Sequence, residues 1–231
     1  MRARRLDHQP PATFIAPPRH GMGAAQSVVR MRSPRADDLQ QAAPLVRLVG
    51  RQGLAWVTNV PNGVNGDGHM TTRNDWTVDA CAIAPEDHVL EIGCGRGVAV
   101  ELVCAKLTTG KVVAIDRSAK MIALAEQRNR DAVASGKASF RTGEFQDAEF
   151  DGERYDKIFA VNVNVFWVRN PVTEMSVIRS LLNPGGVFFL GYEPPAGRVA
   201  EITERLLKNM ADFKVSVVAG APHLVGLKIS I

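Results

Sequence analysis

Cysteine is scarce in this sequence, which has only Cys81, Cys94 and Cys104 among its 231 residues. Three thiols leave one over from any disulfide, and their spacing matches no paired metal-ligand motif. We therefore expect free, buried thiols in a reducing compartment, which makes the cytoplasm the expected location. The sequence also has no His, Asp or Glu cluster of metal-ligand type, so no metal site is expected.

Long hydrophobic runs are absent as well. A membrane-spanning helix needs roughly 20 consecutive apolar residues, so no membrane segment is expected. In the first fifty residues the longest hydrophobic run is Phe14-Ile15-Ala16, which is too short for the core of a secretory signal. The whole chain is 45% hydrophobic and 23% charged, as is typical of one soluble globular domain with an additional segment.

The net charge of +4 is unevenly distributed. Residues 1–50 carry eight arginines against three aspartates, whereas the rest of the chain carries 20 bases and 21 acids. A nucleic-acid-binding domain would carry its basic surplus on the folded part, so nucleic acid is not an expected partner. Residues 1–50 are predicted to be a basic, Pro/Arg-rich, disordered extension, or else an over-long start of the sequence with Met22 and Met31 as candidate starts. An organelle transit peptide is the alternative, which prolines such as Pro17 and Pro18 disfavour.

From about Asp87 onward, short apolar runs alternate with segments of helical period. Strands are predicted at 88–93, 111–116, 138–144, 155–162 and 187–190, followed by a terminal hairpin of 214–218 and 224–231. Repeated strand-helix units with continuous apolar strands predict a parallel sheet covered on both faces, and the hairpin makes one strand antiparallel. We expect an α/β fold: a doubly wound, mostly parallel seven-stranded sheet over 87–231, preceded by a helical lead-in or lid at 51–86.

Folds of this kind bind ligands at the carboxyl ends of their strands. The first strand is followed by the glycine-rich loop of residues 93–97, GCGRG, which permits a tight turn and exposes bare main chain to a ligand. A turn that binds nothing is the alternative. Asp116 ends the next strand, 19 residues beyond Gly97, where an acid can accept both hydroxyls of a ribose. Its alternative role is helix capping, for which Ser118 is better placed.

The next two strand ends also carry polar residues. Glu144 follows the third strand, and Asn162 and Asn164 stand in an otherwise apolar run after the fourth. Amide side chains in such a run need partners, which a ligand or a loop could supply. The glycine spacing is G-x-G-x-G, so Val98 occupies the place of the third glycine in the dinucleotide fingerprint. Glu91 before the loop disfavours a pyrophosphate but suits a ligand with an ammonium and a sulfonium.

With these residues in place, the sequence resembles the class I S-adenosylmethionine-dependent methyltransferases. Residues 89–97, VLEIGCGRG, look like that family's first motif, and residues 114–122, AIDRSAKMI, resemble its second-strand motif. The later landmarks match in order and spacing at 155–162, YDKIFAVN, and 182–186, LNPGG. Upstream, NVPNG at 59–63 and MTTRN at 70–74 resemble the lead-in of bacterial members of the small-molecule, type 11-like branch. Together the likeness covers roughly residues 59–231 and implies a Rossmann-like fold.

The resemblance implies that S-adenosyl-L-methionine is the cofactor. The three loop glycines would line its methionine moiety, Glu91 would support the loop or the amino group, and Asp116 would bind the ribose. The position of Glu144 often holds an aspartate in the family, and Asn162 would close over the cofactor near the reacting methyl. The full implied cofactor-binding set is Glu91, Gly93, Cys94, Gly95, Gly97, Asp116, Arg117, Ser118, Met121, Glu144, Phe145 and Asn162.

The expected activity is methyl transfer to an O, N, S or C nucleophile of a small molecule. The nucleic-acid and protein-amide branches carry an Asn/Asp-Pro-Pro-aromatic motif, where this chain has Asn162-Val163-Asn164-Val165. Trp76, Trp167 and Tyr192 are candidate acceptor contacts, with ordinary core packing as the alternative. No catalytic residue is named, and a homo-oligomer stays open. The alternative functions are a cofactor-binding protein without turnover and, less favoured, a nicotinamide-dependent oxidoreductase.

Overall fold

A computed structural model describes residues 72–220 and 223–231 in full, and the backbone alone at 49–50, 53–54 and 57–59. The extension predicted for residues 1–50 lies outside this part, apart from the backbone of Val49 and Gly50. The described residues form ten strands, seven α-helices and one short 3-10 helix at Phe145–Asp147. The strands are β1 Val49–Gly50, β2 Gly53–Leu54, β3 Val57–Asn59, β4 His88–Ile92, β5 Lys111–Asp116, β6 Ala138–Thr142, β7 Tyr155–Val161, β8 Leu182–Tyr192, β9 Lys214–Gly220 and β10 Leu224–Ser230.

The helices alternate with the strands from β4 to β9. They are α1 Arg73–Ala80, α2 Val98–Lys106, α3 Ala119–Arg128, α4 Arg130–Ala134, α5 Val165–Val168, α6 Val172–Leu181 and α7 Val199–Asn209. Among the described residues, no helix has the length and apolarity needed to cross a membrane.

One sheet organises the domain, with the strand order β3-β9-β10-β8-β7-β4-β5-β6. Strand β10 is antiparallel to both of its neighbours, and the other pairs are parallel. The predicted doubly wound, mostly parallel sheet with one antiparallel strand is confirmed. The structure adds an eighth strand that periodicity did not predict, since β3 pairs with β9 at the edge over three residues. The strand order reverses between β4 and β7, which is where such folds open a crevice for ligands.

The hydrophobic core consists of two layers, one on each face of the sheet. Successive strand residues alternate between them: Ile158 and Ala160 belong to the layer that α6 and α7 cover, whereas Phe159 belongs to the layer of α1 and α2. This alternation follows from the two-residue period of a strand. The strands are nevertheless apolar throughout, because helices cover both faces.

Two side chains fix how helix α3 begins and ends. Ser118 is its N-cap, and its hydroxyl accepts a hydrogen bond from the Met121 N–H at 3.4 Å, as the sequence predicted. At the other end, the buried amide of Asn129 donates to the carbonyl oxygens of Gly97 and Ala125 at 3.0 and 2.9 Å. Asn129 therefore separates α3 from α4 and ties α3 to the loop that precedes α2.

The contact between α1 and β8 has no room for an additional carbon atom. A Cβ at Gly191 would lie 2.1 Å from the Thr77 hydroxyl oxygen. We predict that Gly191→Ala lowers the free energy of unfolding by about 1–3 kcal/mol, the typical cost of overpacking, as measured by urea denaturation. Adding Thr77→Ala should recover part of this loss, and Thr77→Ala alone serves as the control. Equal unfolding midpoints for Gly191→Ala and the native chain would contradict this packing.

Candidate functional site

A cavity of about 800 Å³, here called the strand-end cavity, opens at the carboxyl ends of β4, β5, β6 and β7. Its volume falls within the range of roughly 300–1,000 Å³ that is usual for small-molecule sites. Four consecutive parallel strands therefore contribute to one wall. The lining residues are Ile92, Gly93, Ile115, Asp116, Arg117, Gly143, Glu144, Phe145, Gln146, Val161, Asn162, Val163, Asn164, Val165, Val168, Arg169 and Glu174.

The glycine loop after β4 is hydrogen-bonded to the end of β5. The N–H groups of Gly93 and Cys94 both donate to the carbonyl oxygen of Ile115, at 2.8 and 3.1 Å. The loop glycines all have left-handed φ angles, of 71° at Gly93, 53° at Gly95 and 72° at Gly97. At Gly97 a Cβ would also lie 2.9 Å from the Ala125 Cβ. Both the left-handed φ angle and the lack of space therefore exclude a side chain there.

Asp116 connects three parts of the site. One carboxylate oxygen accepts a hydrogen bond from the Gly95 N–H and the other accepts from the Ser118 N–H, both at 2.9 Å. Its carbonyl oxygen accepts from the Gly143 N–H at 3.0 Å, just beyond β6. Each carboxylate oxygen has a second lone pair, so the fixed carboxylate can still accept hydrogen bonds from a ligand.

The β6 side of the cavity is a charged and aromatic edge. Arg117 and Glu144 form an exposed ion pair at 3.8 Å. Phe145 is only 7% exposed and packs edge-on against Phe150, with ring centroids 5.9 Å apart. This packing holds the Phe145 ring at the cavity wall, where a flat ligand ring could lie against it.

The β7 side carries two asparagines and a short helix. Asn162 has a φ of 55°, and its side-chain oxygen accepts a hydrogen bond from the Glu193 N–H at 2.8 Å. The side-chain oxygen of Asn164 accepts from the Trp167 indole N–H at 3.3 Å. Helix α5 is fixed to α7, because the Asn209 amide donates to the carbonyl oxygens of Phe166 and Arg169, both at 2.9 Å.

Glu91 is a buried carboxyl group in β4, 2% exposed. Its Oε2 atom has no hydrogen-bond partner among the described residues. Burial, reinforced by the negative charge of Asp116, raises the pKa of Glu91 well above its ordinary value of 4.5. The raised pKa favours the neutral form of this carboxyl group, and a positive charge placed beside it would favour the ionised form.

The predicted cofactor residues divide into two groups. Gly93, Asp116, Arg117, Glu144, Phe145 and Asn162 line the strand-end cavity. The other six, Glu91, Cys94, Gly95, Gly97, Ser118 and Met121, lie beside or beneath it, in β4, the glycine loop and the start of α3. Burial raises the pKa of Cys94, so its thiol is neutral at pH 7.

The three aromatic acceptor candidates do not line the cavity. Trp76 is buried against Phe189, and Tyr192 is buried and donates its hydroxyl to the Val163 carbonyl oxygen. The Trp167 ring packs against the guanidinium groups of Arg198 and Arg205. Sequence reasoning identified the large apolar surface of these rings but not the partners that cover it.

Three polar cavity residues were missed, namely Gln146, Arg169 and Glu174. Glu174 is 1% exposed and forms a two-pronged ion pair with Arg169. The sequence did contain a signal that Glu174 is buried, because this residue directly precedes Met175, which lies on the inner face of α6. An acid at such a position is rarely buried without a partner.

Part of this chain is similar to known methyltransferases. Residues 89–186 match the family model described as a methyltransferase domain. The sterol 24-C-methyltransferase of Debaryomyces hansenii is 32% identical over 102 residues, which are 43% of this chain and 26% of that protein. The putative methyltransferase YrhH of Bacillus subtilis is 26% identical over 149 residues, covering 64% of this chain and 80% of YrhH.

Among solved structures, a SAM-dependent methyltransferase from Aquifex aeolicus has the same fold. Its TM-score is 0.56 at 17% identity, and the match covers 68% of this chain and 88% of that one. This chain therefore spans about a quarter of the sterol enzyme but most of the two smaller relatives. The glycine loop and its bond to Asp116 lie within residues 89–186, the part of the chain that is similar to a methyltransferase domain, and the sheet has the fold of the Aquifex aeolicus enzyme.

Proposed function

We propose that this protein transfers a methyl group from S-adenosyl-L-methionine to a small-molecule acceptor. The observation that carries the proposal is the hydrogen bond from the Gly95 N–H to the carboxylate of Asp116, a residue that lines the strand-end cavity. It places bare main chain and a fixed carboxylate side by side on adjacent strands. That is the arrangement needed to hold an adenosyl group with its ribose on the acid.

The residues present fit this cofactor. A Cβ at Gly95 would meet no atom within 4 Å, so the main chain there is open to a ligand. The orphaned carboxyl oxygen of Glu91 suits the positive charge that this cofactor carries and a dinucleotide lacks. The proposed binding set is Glu91, Gly93, Cys94, Gly95, Gly97, Asp116, Arg117, Ser118, Met121, Glu144, Phe145 and Asn162.

Bound S-adenosylmethionine supplies a methyl group that is already activated by its positively charged sulfur. The chain's own residues have to orient the acceptor and exclude water. Such positioning can lower the activation free energy by roughly 7–11 kcal/mol. The described cavity wall contains no His, Lys, Cys or Tyr, and its acids Asp116, Glu144 and Glu174 are each bonded to other groups of the chain, so no general base is assigned. Asn162 and Asn164, fixed through their side-chain oxygens, are the polar groups on the β7 side that can orient an acceptor.

The reaction is proposed to take place in the cytoplasm. All three cysteines are unpaired, with Cys81 and Cys94 buried, which agrees with a reducing compartment. The basic surplus lies in residues 1–50 and not in the methyltransferase domain, so nucleic acid is not proposed as a partner. The alternative function is a protein that binds the cofactor without turnover, which the family likeness by itself does not separate from an enzyme.

Asp116→Asn should raise the Kd for S-adenosylhomocysteine by tenfold or more, which is about 1.4 kcal/mol. An amide can accept only one of the two loop hydrogen bonds and loses the negative charge that ribose hydroxyls prefer. Isothermal titration calorimetry measures the Kd, with Asp131→Asn in the exposed part of α4 as the matched control.

The same titrations separate the candidate functions. NAD that bound tightly where S-adenosylhomocysteine did not would overturn the methyltransferase proposal. An unchanged Kd in Asp116→Asn would remove Asp116 from the binding set. Labelled methyl transfer to any acceptor would exclude a protein without turnover.

Glu91→Gln should stabilise the ligand-free protein progressively as the pH rises. The folded protein keeps the Glu91 proton above pH 4.5, where the unfolded chain releases it. The stability that this proton provides is complete below pH 4.5 and is lost as the pH rises through the raised pKa, at up to about 1.4 kcal/mol per pH unit. Glutamine does not titrate, so the variant should gain on the native chain between pH 5 and 8.

Urea denaturation at pH 5, 6, 7 and 8 measures this gain as the difference between the two proteins. Glu126→Gln, on the exposed side of α3, is the matched control and should show no such trend. A difference between Glu91→Gln and the native chain that stayed constant over this pH range would contradict the burial of an uncompensated carboxyl group.

A further inference from the structure

The β7 side of the strand-end cavity combines hydrogen-bond donors with apolar surface. Asn164 and Arg169 border it together with Val163, Val165 and Val168. All five belong to residues 163–169, which follow β7 and include α5. The other charged wall residues are Asp116, Arg117 and Glu144 on the β5 and β6 side, and Glu174 in α6. The β7 side is therefore where an acceptor distinct from the cofactor can be recognised.

The orientation of the Asn164 amide follows from its partner. The Trp167 indole N–H can only donate, so the Asn164 atom that faces it at 3.3 Å has to be the oxygen. The oxygen is thereby engaged, and the amide NH₂ group has no hydrogen-bond partner among the described residues. Asn164 lines the cavity with its two amide N–H donors unengaged and its oxygen already accepting one hydrogen bond.

Arg169 is oriented in the same way by a buried partner. Two of its nitrogens donate to the two oxygens of Glu174, which is 1% exposed. A guanidinium has five N–H groups, so several donors remain for a ligand. The Arg169 side chain is 51% exposed, which leaves those donors accessible. The segment therefore presents two pre-oriented donor groups beside three valines.

The titratable groups of the wall limit the acceptor further. Within the described residues, the acids of the wall are Asp116, bound to two loop N–H groups, Glu174, paired with Arg169, and Glu144, paired with Arg117. Each of the three is already held by a hydrogen bond or an ion pair, and we assign none of them as a base for the acceptor. An acceptor that arrives already ionised needs no base, and a carboxylate, with an ordinary pKa of about 4, is ionised at pH 7.

We propose that the acceptor is an organic carboxylate with an apolar body, recognised by Asn164 and Arg169, and that the product is its methyl ester. This inference rests on the proposed methyltransferase function. One carboxylate oxygen accepts hydrogen bonds from the donor groups while the other attacks the methyl carbon. The new bond joins that oxygen to the methyl group, the bond from methyl to sulfur breaks, and its electron pair stays on sulfur. Anion and sulfonium become two neutral products, and no proton is transferred.

Trp167 is a positioning residue in this scheme. Its ring lies against Arg198 and Arg205, with 5.3 and 5.9 Å between each guanidinium carbon and the ring centroid. Glu201 bonds to Arg198 at 2.9 Å and to Arg205 at 3.3 Å and so joins the two cations. The indole is thereby fixed to α7, and through its N–H it fixes the Asn164 amide.

A panel of acceptors tests the chemical class. The full-length protein is incubated with methyl-labelled S-adenosylmethionine and straight-chain C4–C12 carboxylates, benzoate and phenylacetate. The matched primary alcohols, amines and amides are run in parallel. We expect label in alkali-labile methyl esters of one or more acids. Label only in alcohols, amines or amides would overturn the proposal, and so would S-adenosylhomocysteine binding without an ester on any acid of the panel.

Asn164→Asp tests the donor group, because it replaces N–H donors by a charge that repels a carboxylate. The KM for the acid should rise at least tenfold, while the Kd for S-adenosylhomocysteine stays within twofold of the native value. Gln127→Glu makes the same amide-to-acid change on the exposed surface of α3 and should leave both constants unchanged. An unchanged acceptor KM in Asn164→Asp would overturn the assignment.

Trp167→Phe tests the positioning role, since it keeps an aromatic ring between the two arginines and removes the indole N–H. We expect the acceptor KM to rise three- to tenfold, with kcat and the urea midpoint close to native values. A lower urea midpoint with an unchanged KM would show that Trp167 is only structural. Failure of the methyltransferase function itself is distinct, because the native protein would then either not bind S-adenosylhomocysteine or bind it and label no compound of the panel, whereas failure of the carboxylate proposal alone leaves label in alcohols, amines or amides.

Discussion

The hydrogen bonds that Asp116 accepts from Gly95 and Ser118 are the constraint on which the site depends. The parallel strands β4 and β5 are neighbours, and their carboxyl ends lie side by side. The carboxylate of Asp116, at the end of β5, accepts a hydrogen bond from the main chain that follows β4. The glycines then only have to permit the conformation that these bonds select. Asn129 holds the far end of the loop at Gly97, so both ends of the turn are fixed before any ligand binds. A site fixed in this way loses little conformational entropy when a ligand enters.

The two faces of the sheet contribute differently to function. Glu91 lies in the layer of α1 and α2, as an unpaired acid whose pKa is raised by burial. Glu174 lies in the layer of α6, where Arg169 compensates its charge. A buried acid without a partner favours a positive ligand, whereas a compensated acid orients its partner's remaining donors. The two buried acids therefore differ in environment, since one has no partner and the other is paired with an arginine.

The sequence predicted the sheet and the strand-end residues well, because both depend on local patterns. Apolar runs that end in glycine or an acid predicted β4 and β5, and the spacing of Gly97 and Asp116 brought their ends together. Strand β3 was missed, since three residues paired with a distant strand leave no periodic signal. Trp167 was linked to the acceptor as an apolar wall, but its partners are arginines that lie more than 30 residues further along the chain. Contacts of that separation are set by tertiary packing, which periodicity does not report.

The Asn209 amide donates hydrogen bonds to the carbonyl oxygens of Phe166, in α5, and of Arg169, which follows it. This link has a consequence for how such a domain can diversify. It makes the short helix part of the α7 scaffold, whereas the glycine loop belongs to the β4–β5 scaffold. Mutations in residues 163–169 can therefore change the β7 side of the strand-end cavity while the glycine loop keeps its conformation. Under the proposed function, a lineage could change its methyl acceptor by altering this single turn of helix while it keeps the same methyl donor.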